Sequence, residues 1–133
     1  MTTAIDTSVI LSILGRESGY ESWELALRQA SESGLLCICP VVFAELSPGS
    51  ESAPKLLHLL ESLAIEYDNF SPESAHLAGR IHLQYRREGG LREHLIPDFL
   101  VAAHAKLQCN QLAAIDRGYL RRYFPELKLL APA

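Results

Sequence analysis

Four acidic residues occupy positions from which their side chains could act together in catalysis. Asp6 follows the short apolar segment "TAI", and Asp116 follows the apolar segment "QLAAI". Glu45 lies about one turn into the helix predicted after a second strand, and Asp98 opens the apolar helix that leads to "QLAAI". The chain has only four aspartates, and three of them occupy these positions. Ligands of open α/β sheets bind beyond the carboxyl ends of the strands, so the four acids are predicted to converge there.

Converging carboxylates need a cation. Two carboxylates ~5 Å apart repel by about 3 kcal/mol at an effective dielectric constant near 20, so four bare anions would not stay together. Ligands that are all oxygen select the hard ions Mg²⁺ or Mn²⁺ over Zn²⁺. Such a site positions a water molecule, lowers its pKa and stabilises charge on a transferring phosphoryl group. The chemistry that these residues indicate is hydrolysis of a phosphodiester.

Each acid also has a purely structural explanation. Aspartate is a favoured helix N-cap and complements the helix dipole, and a glutamate on a helix is commonly solvated. However, Pro97 already marks a helix start before Asp98. Glu45 lies among the apolar residues of "VVFAEL", an unusual place for a solvated acid. Taken together, the four positions favour a shared site over four separate caps.

The elements that must position these acids alternate along the chain. Strands are predicted at "TAI", "LLCICP", "QLAAID" and "LKLLAP", with "IEYDNF" as a strand or extended connector. Helices are predicted at "TSVILSIL", "YESWELALRQASESG", "VVFAELS", "APKLLHLLESLA" and "RGYLRRYF", from Ser71 with Pro72 at the first position to "REGG", and from Asp98 onwards. Alternating strands and helices predict an α/β fold, with a parallel sheet covered by helices on both faces. We expect one domain, residues 1–133.

Composition narrows the class of protein. An apolar fraction of 48% fits a folded chain, and the net charge of −4 weighs against a protein that coats DNA through many phosphate contacts. The longest apolar runs are far shorter than the ~18 residues of a membrane span. The first residues, "MTTAID", lack the basic region of a signal peptide. We therefore expect a cytoplasmic protein with no membrane partner.

The cysteines and histidines form no recognisable metal-binding or catalytic motif in the sequence. An odd number of cysteines without an export signal predicts free thiols, and we interpret them as buried structural residues. The histidines form neither an HxxxH nor an HExxH pair, so they are interpreted as structural or surface residues. The residues concerned are Cys37, Cys39 and Cys109, and His58, His76, His82, His94 and His104.

Four segments in order resemble a known family. They are "AIDTSVILSIL", "FAEL", "IPDFLVAAHA" and "AAIDRGYLRRYFPELKLLAP", and together they are similar to the PIN domain. The nearest type is the VapC ribonuclease toxin of bacterial toxin–antitoxin pairs. The resemblance implies a three-layer α/β/α domain with a central, mainly parallel sheet, and endoribonucleolytic cleavage of RNA. It also implies that Mg²⁺ or Mn²⁺ is bound by Asp6, Glu45, Asp98 and Asp116.

The resemblance carries further expectations. Ser8 matches a small hydroxyl residue that often supports the first acid. The resemblance also implies a homodimer. It further implies a cognate antitoxin that lays a short segment across the active-site groove. One departure concerns the last acid: the family often has Thr or Ser and then Arg before it, where this chain has Ala114 and Ile115.

Arginines flank the predicted site in the sequence. One group precedes Asp98 and another follows Asp116, so their side chains could bind RNA phosphates despite the acidic total. Arg92 is the first candidate, because the "GGLREHLIPD" segment leads directly into the site. The RNA-binding candidates are Arg92, Arg86, Arg87 and Arg117.

Two other function classes remain open. The first is a PIN-like module that binds RNA or a protein without cutting, although such a module has no need of mutually repelling acids. The second is a small phosphatase of another α/β fold. Phosphatases with an aspartyl nucleophile usually need a second Asp two residues on, where this chain has Ser8.

Overall fold

A parallel sheet forms the centre of the protein. The computed structural model describes residues 1–90, 96–115 and 118–132, and all strands within these ranges run in the same direction. Their order across the sheet is β3-β2-β1-β4-β5, so the first strand in sequence is the central one. The strands are β1 (Thr2–Ile5), β2 (Leu35–Ile38), β3 (Ile65–Tyr67), β4 (Gln111–Ala113) and β5 (Leu129–Leu130). The predicted strands are confirmed, and "IEYDNF" begins with a strand.

Helices connect successive strands and cover the sheet. Helix α2 packs against α1 and β2, whereas α6 packs against α5, β1 and β4. Parallel strands require such crossovers, which place helices on both faces of the sheet and confirm the predicted three-layer α/β/α fold. The helices are α1 (Thr7–Leu14), α2 (Tyr20–Ser33), α3 (Pro40–Leu46), α4 (Ala53–Ser62), α5 (Pro72–Arg87), α6 (Ile96–Gln108) and α7 (Tyr119–Tyr123). Within the described ranges, none of them is long and apolar enough to cross a membrane.

The start of α5 follows from its first residues. The Ser71 hydroxyl accepts a hydrogen bond from the backbone amide of Ser74 at 3.1 Å, and Pro72 occupies the first helical turn. Both features match the predicted start of this helix, because the cap satisfies an orphan amide and proline has none to satisfy. The helix ends at the predicted glycines. Gly89 has a φ of +79°, and a Cβ on Gly90 would lie 2.3 Å from the ring of Tyr85.

An aromatic cluster holds the first turn of α6. Phe99 is fully buried, and its ring centroid lies 5.2–6.1 Å from those of five other rings. These rings come from α5, from α7 and from the residue that follows α7; they belong to His82, Tyr85, Tyr119, Tyr123 and Phe124. Aromatic contacts of this kind stabilise by more than the area they bury. Since Phe99 follows Asp98, the cluster also fixes the backbone that carries this acid.

We expect Phe99→Leu to lower the free energy of unfolding by about 1–2 kcal/mol, because leucine fills only part of the space left by the ring. Urea denaturation followed by circular dichroism measures this change. Leu83→Ala, at an exposed position of α5, is the control and should change stability by less than about 0.5 kcal/mol. Equal stability of the Phe99 variant and the original chain would contradict the role given to the cluster.

Candidate active site

Asp6 lies at the carboxyl end of the central strand. Its backbone amide donates to the carbonyl oxygen of Ala113 at 3.0 Å, which joins the ends of β1 and β4. It stands at the N-cap position of α1 but makes no side-chain cap bond to that helix, all of which is described. Instead, the Asp6 carboxylate accepts a hydrogen bond from the Ser8 hydroxyl at 2.7 Å. The hydrogen bond from Ser8 therefore orients the Asp6 side chain, which does not cap α1.

Glu45 approaches the same end of the sheet from α3. Its Oε1 accepts a hydrogen bond from the hydroxyl of Thr7 at 2.7 Å, and Thr7 is buried whereas Glu45 is exposed. Thr7 and Ser8 are the first two residues of α1 and follow Asp6 directly. Consecutive hydroxyls at the start of one helix therefore hold two carboxylates from distant parts of the chain.

Asp98 belongs to the first turn of α6. It is half-buried, next to the fully buried Phe99 and preceded by Pro97. The partial positive charge at the helix N-terminus stabilises the ionised carboxylate. Helix α6 contacts both α3 and β1, the elements that carry Glu45 and lead to Asp6. The three acids thus come from elements that pack against one another.

The three carboxylates do not form one tight ligand cluster. Among the described residues, the oxygens of Asp6, Glu45 and Asp98 do not all lie within 4.8 Å of one another. Mg²⁺ commonly keeps several waters and uses only one or two carboxylates, so the all-oxygen set fits such an ion without full closure.

A neutral thiol lies beside this edge. Cys39 follows β2 at the N-cap of α3 and is only 2% exposed. Burial raises the pKa of its thiol, backbone amides at the start of α3 oppose that shift, and the negative charge of Asp6 adds to it. Cys39 therefore adds no further negative charge beside Asp6.

Several predicted site residues cannot be compared with the structure. Asp116, Arg92 and Arg117 lie outside the described residues. Arg86 and Arg87 are exposed on the last turn of α5, immediately before the segment that leads to Asp98. Their guanidinium groups are thus available to an anionic ligand.

Thr7 was missed by the sequence analysis. Its neighbour Ser8 was singled out for the first acid, but the contact of Thr7 with Glu45 spans 38 positions of the chain. The available signal was the "DTS" triplet itself. Its two consecutive hydroxyls at a helix start can point in different directions, and so they can serve two acids.

The cysteines are free thiols, as predicted, but two of them form a pair. The sulfurs of Cys37 and Cys109 lie 3.5 Å apart, and Cys109 is only half-buried. The hydrogen bond between them raises the pKa of Cys37, with burial adding to the shift, and it lowers the pKa of Cys109. Cys109 is therefore the sulfur that loses its proton more easily.

The sheet and its flanking helices define an α/β domain in which Asp6, Glu45 and Asp98 come from elements that pack against one another. A family model for the PIN domain matches residues 3–124. The chain belongs to the PIN domain family. A comparison with curated protein sequences gave no match.

Solved structures of low sequence identity share this fold. One is VapBC2 from Rickettsia felis bound to a DNA fragment from its promoter, at 20% identity, with 97% of each chain covered and a TM-score of 0.72. Another is VapBC-1 from nontypeable Haemophilus influenzae, at 16% identity, covering 97% of this chain and 96% of that one, with a TM-score of 0.68. A toxin–antitoxin complex from Klebsiella pneumoniae matches at 17% identity, with 98% of each chain covered and a TM-score of 0.66.

We expect Thr7→Val to weaken Mn²⁺ binding roughly tenfold, because the variant keeps the side-chain shape but removes the donor that orients Glu45. Isothermal titration calorimetry of the folded variant with Mn²⁺ measures the change. Ser62→Ala, which removes an exposed hydroxyl on α4, is the control and should bind Mn²⁺ as the original chain does. Unchanged affinity in the Thr7 variant would show that this hydrogen bond does not organise the site.

Proposed function

We propose that the protein is a metal-dependent endoribonuclease that hydrolyses RNA phosphodiester bonds and acts as the toxin of a toxin–antitoxin pair. The observation that supports this proposal most is the pair of hydroxyl–carboxylate contacts at the carboxyl edge, Ser8 with Asp6 and Thr7 with Glu45. A purely structural acid would cap its own helix or face solvent without a fixed partner. Asp98 and Asp116 complete the proposed site, which takes Mg²⁺ or Mn²⁺.

The proposed mechanism assigns different tasks to the chain and the ion. When bound, the divalent ion lowers the pKa of the attacking water and balances charge on the phosphoryl group. Thr7 and Ser8 keep the carboxylates of Glu45 and Asp6 in fixed directions, which reduces the reorganisation needed when substrate arrives. The partial positive charge at the N-terminus of α6 interacts favourably with the carboxylate of Asp98.

RNA binding is proposed to involve arginines on one side of the site. Arg86 and Arg87 are exposed on α5, and Arg92 lies in the segment between them and Asp98. Arg117 follows Asp116 in the sequence. Guanidinium groups bind phosphates through two parallel hydrogen bonds, so a local basic group can hold RNA even though the chain is acidic overall.

An antitoxin is proposed to cover the apolar surface beside Glu45. Leucines of α1 and of the end of α4 remain 42–49% exposed there. Exposed apolar side chains next to a charged site are typical of surfaces that bind another protein. The solved relatives described as toxin–antitoxin complexes support this partner. The leucines are Leu11, Leu14, Leu59 and Leu63. We also propose that the protein is cytoplasmic and forms a homodimer. Light scattering of the purified protein would test the oligomeric state.

We expect Asp98→Asn to lower RNA cleavage by roughly a hundredfold or more, because the amide cannot contribute the negative charge that holds the cation. The assay uses purified protein and a mixed RNA pool with Mg²⁺, with Mn²⁺ and with EDTA. Glu61→Gln, an exposed acid of α4 neutralised in the same way, is the control and should cleave normally.

The same assay separates the nuclease from a module that only binds. Cleavage that requires metal and disappears in the Asp98 variant supports the nuclease. Specific RNA binding without cleavage of mixed, transfer or ribosomal RNA, together with no binding of Mn²⁺, would replace it with the non-catalytic alternative.

We expect simultaneous Arg86→Ala and Arg87→Ala substitution to raise KM for RNA several-fold while leaving kcat nearly unchanged. Phosphate contacts remote from the cleaved bond stabilise substrate and transition state alike. Steady-state cleavage of a labelled RNA at two salt concentrations measures both constants. Arg28→Ala on α2 is the control, since this exposed arginine lies on another helix. A fall in kcat with unchanged KM would contradict a role in binding alone.

A further inference from the structure

A second group of ligand-type side chains contains none of the acids of the proposed nuclease site. The atoms that Cys37, Asp68, His104 and Cys109 can offer to a metal ion all lie within 4.8 Å of one another. Cys37 belongs to β2 and His104 to α6. Asp68 directly follows β3, and Cys109 directly follows α6. Each of these four residues thus comes from a different part of the fold and contributes one possible metal-ligand atom to the group.

This group is distinct from the acidic site. His104 lies six residues beyond Asp98 along α6, and Cys109 lies eleven residues beyond it. At a rise of 1.5 Å per residue, these separations correspond to about 9 Å and about 16 Å along the helix axis. The nuclease proposal gives none of the four residues a task.

The sulfur separation is compatible with a shared cation. The sulfurs of Cys37 and Cys109 are 3.5 Å apart. Two thiolates bound to one tetrahedral Zn²⁺ through bonds of about 2.3 Å lie about 3.8 Å apart, whereas disulfide sulfurs are separated by only about 2.05 Å. A few tenths of an ångström of side-chain movement would bring the pair to the zinc distance.

The imidazole of His104 is the least explained buried group. It is 1% exposed; Nε2 lies 2.8 Å from Asp68 Oδ2, and Nδ1 has no hydrogen-bond partner among the described residues. Burial of an unsatisfied ring nitrogen is unfavourable, so the interior around this ring is not explained by hydrogen bonding alone. Two ligand atoms bound to one tetrahedral Zn²⁺ through bonds of about 2.0 Å lie about 3.3 Å apart, so Nε2 and Asp68 Oδ2 are close to the spacing that a shared ion requires.

Asp68 is itself held in place. Its backbone amide donates to the carbonyl of Ile38, and its Oδ2 accepts a hydrogen bond from the Gln108 side chain at 3.2 Å. The Gln108 oxygen in turn accepts hydrogen bonds from the Ser71 amide and the Ser74 hydroxyl. Such a network orients a carboxylate for a fixed task, and the half-exposed Asp68 leaves a route from solvent.

We propose that Cys37, Asp68, His104 and Cys109 form a structural site for a zinc-like cation, separate from the acidic edge. Two thiols and an imidazole select Zn²⁺ over the Mg²⁺ or Mn²⁺ that suits oxygen ligands alone. Binding replaces the thiol protons by metal–sulfur bonds and releases those protons to solvent, with no change in oxidation state. The ion would join β2, the end of β3 and the C-terminal end of α6.

The test uses Co²⁺ as a spectroscopic probe on the full-length, chelator-stripped protein, kept reduced with a phosphine. Thiolate ligands give Co²⁺ an intense sulfur-to-metal charge-transfer absorption, which oxygen ligands at the acidic edge do not give. We expect this absorption to saturate at one Co²⁺ per chain and to disappear when one equivalent of Zn²⁺ is added. We also expect Zn²⁺ to raise the unfolding temperature, because it binds only the folded site.

Matched variants assign the signal. Cys109→Ser should abolish the absorption, and Asp68→Asn should weaken Co²⁺ binding by roughly 10–100-fold. Cys39→Ala removes a buried cysteine outside the group and should leave the signal unchanged. Asp98→Asn should also leave it unchanged, which makes this test independent of the nuclease proposal. Circular dichroism confirms that each variant is folded.

Three outcomes would overturn the proposal. The first is a reduced, folded protein that gives no charge-transfer absorption with millimolar Co²⁺. The second is a signal that persists in Cys109→Ser. The third is metal binding that is lost in Asp98→Asn and retained in Asp68→Asn, which would assign the ion to the acidic edge. If Cys37 and Cys109 form a disulfide in air and the reduced protein binds no metal, this result is equivalent to the first outcome and also overturns the proposal.

Discussion

The hydrogen bonds of the central strand determine where Asp6 lies relative to its neighbouring strands. Strand β1 pairs in parallel with β2 on one side and with β4 on the other, and the Asp6 amide extends the second pairing to Ala113. Because all strands run the same way, whatever follows a strand appears at one edge of the sheet. A slip of one residue in β1 would move Asp6 and reverse which side chains face each helical layer.

At the acidic edge, each of the described carboxylates has its own local source of electrostatic stabilisation. Carboxylates repel one another. Hydroxyl donors at the start of α1 stabilise the carboxylates of Asp6 and Glu45, and the dipole of α6 stabilises that of Asp98. Hydrogen bonds to ionised groups are stronger than neutral ones, so Thr7 and Ser8 offset part of the repulsion.

The sequence predicted local structure better than it predicted long-range contacts. The Ser71 cap and the end of α5 depend on residues a few positions apart, and both appear as predicted. The positions of Asp6 after a strand and of Asp98 in the first turn of a helix were predicted correctly, because strand ends and helix starts depend on local patterns. The contact of Thr7 with Glu45 was not, because side-chain direction depends on packing across 38 positions. The interpretation of His104 and Cys109 as merely structural failed to anticipate their proximity to Asp68 and Cys37 for the same reason.

Helix α6 connects the two proposed sites mechanically. Its first turn carries Asp98 beside the aromatic cluster of Phe99, and its far end carries His104 and leads to Cys109. Its small residues Ala102, Ala103 and Ala105 are fully buried, so the helix lies close to its neighbours and has little freedom to tilt. A cation that joined its far end to β2 and β3 would act on the acidic edge through this rigid element rather than through any direct contact.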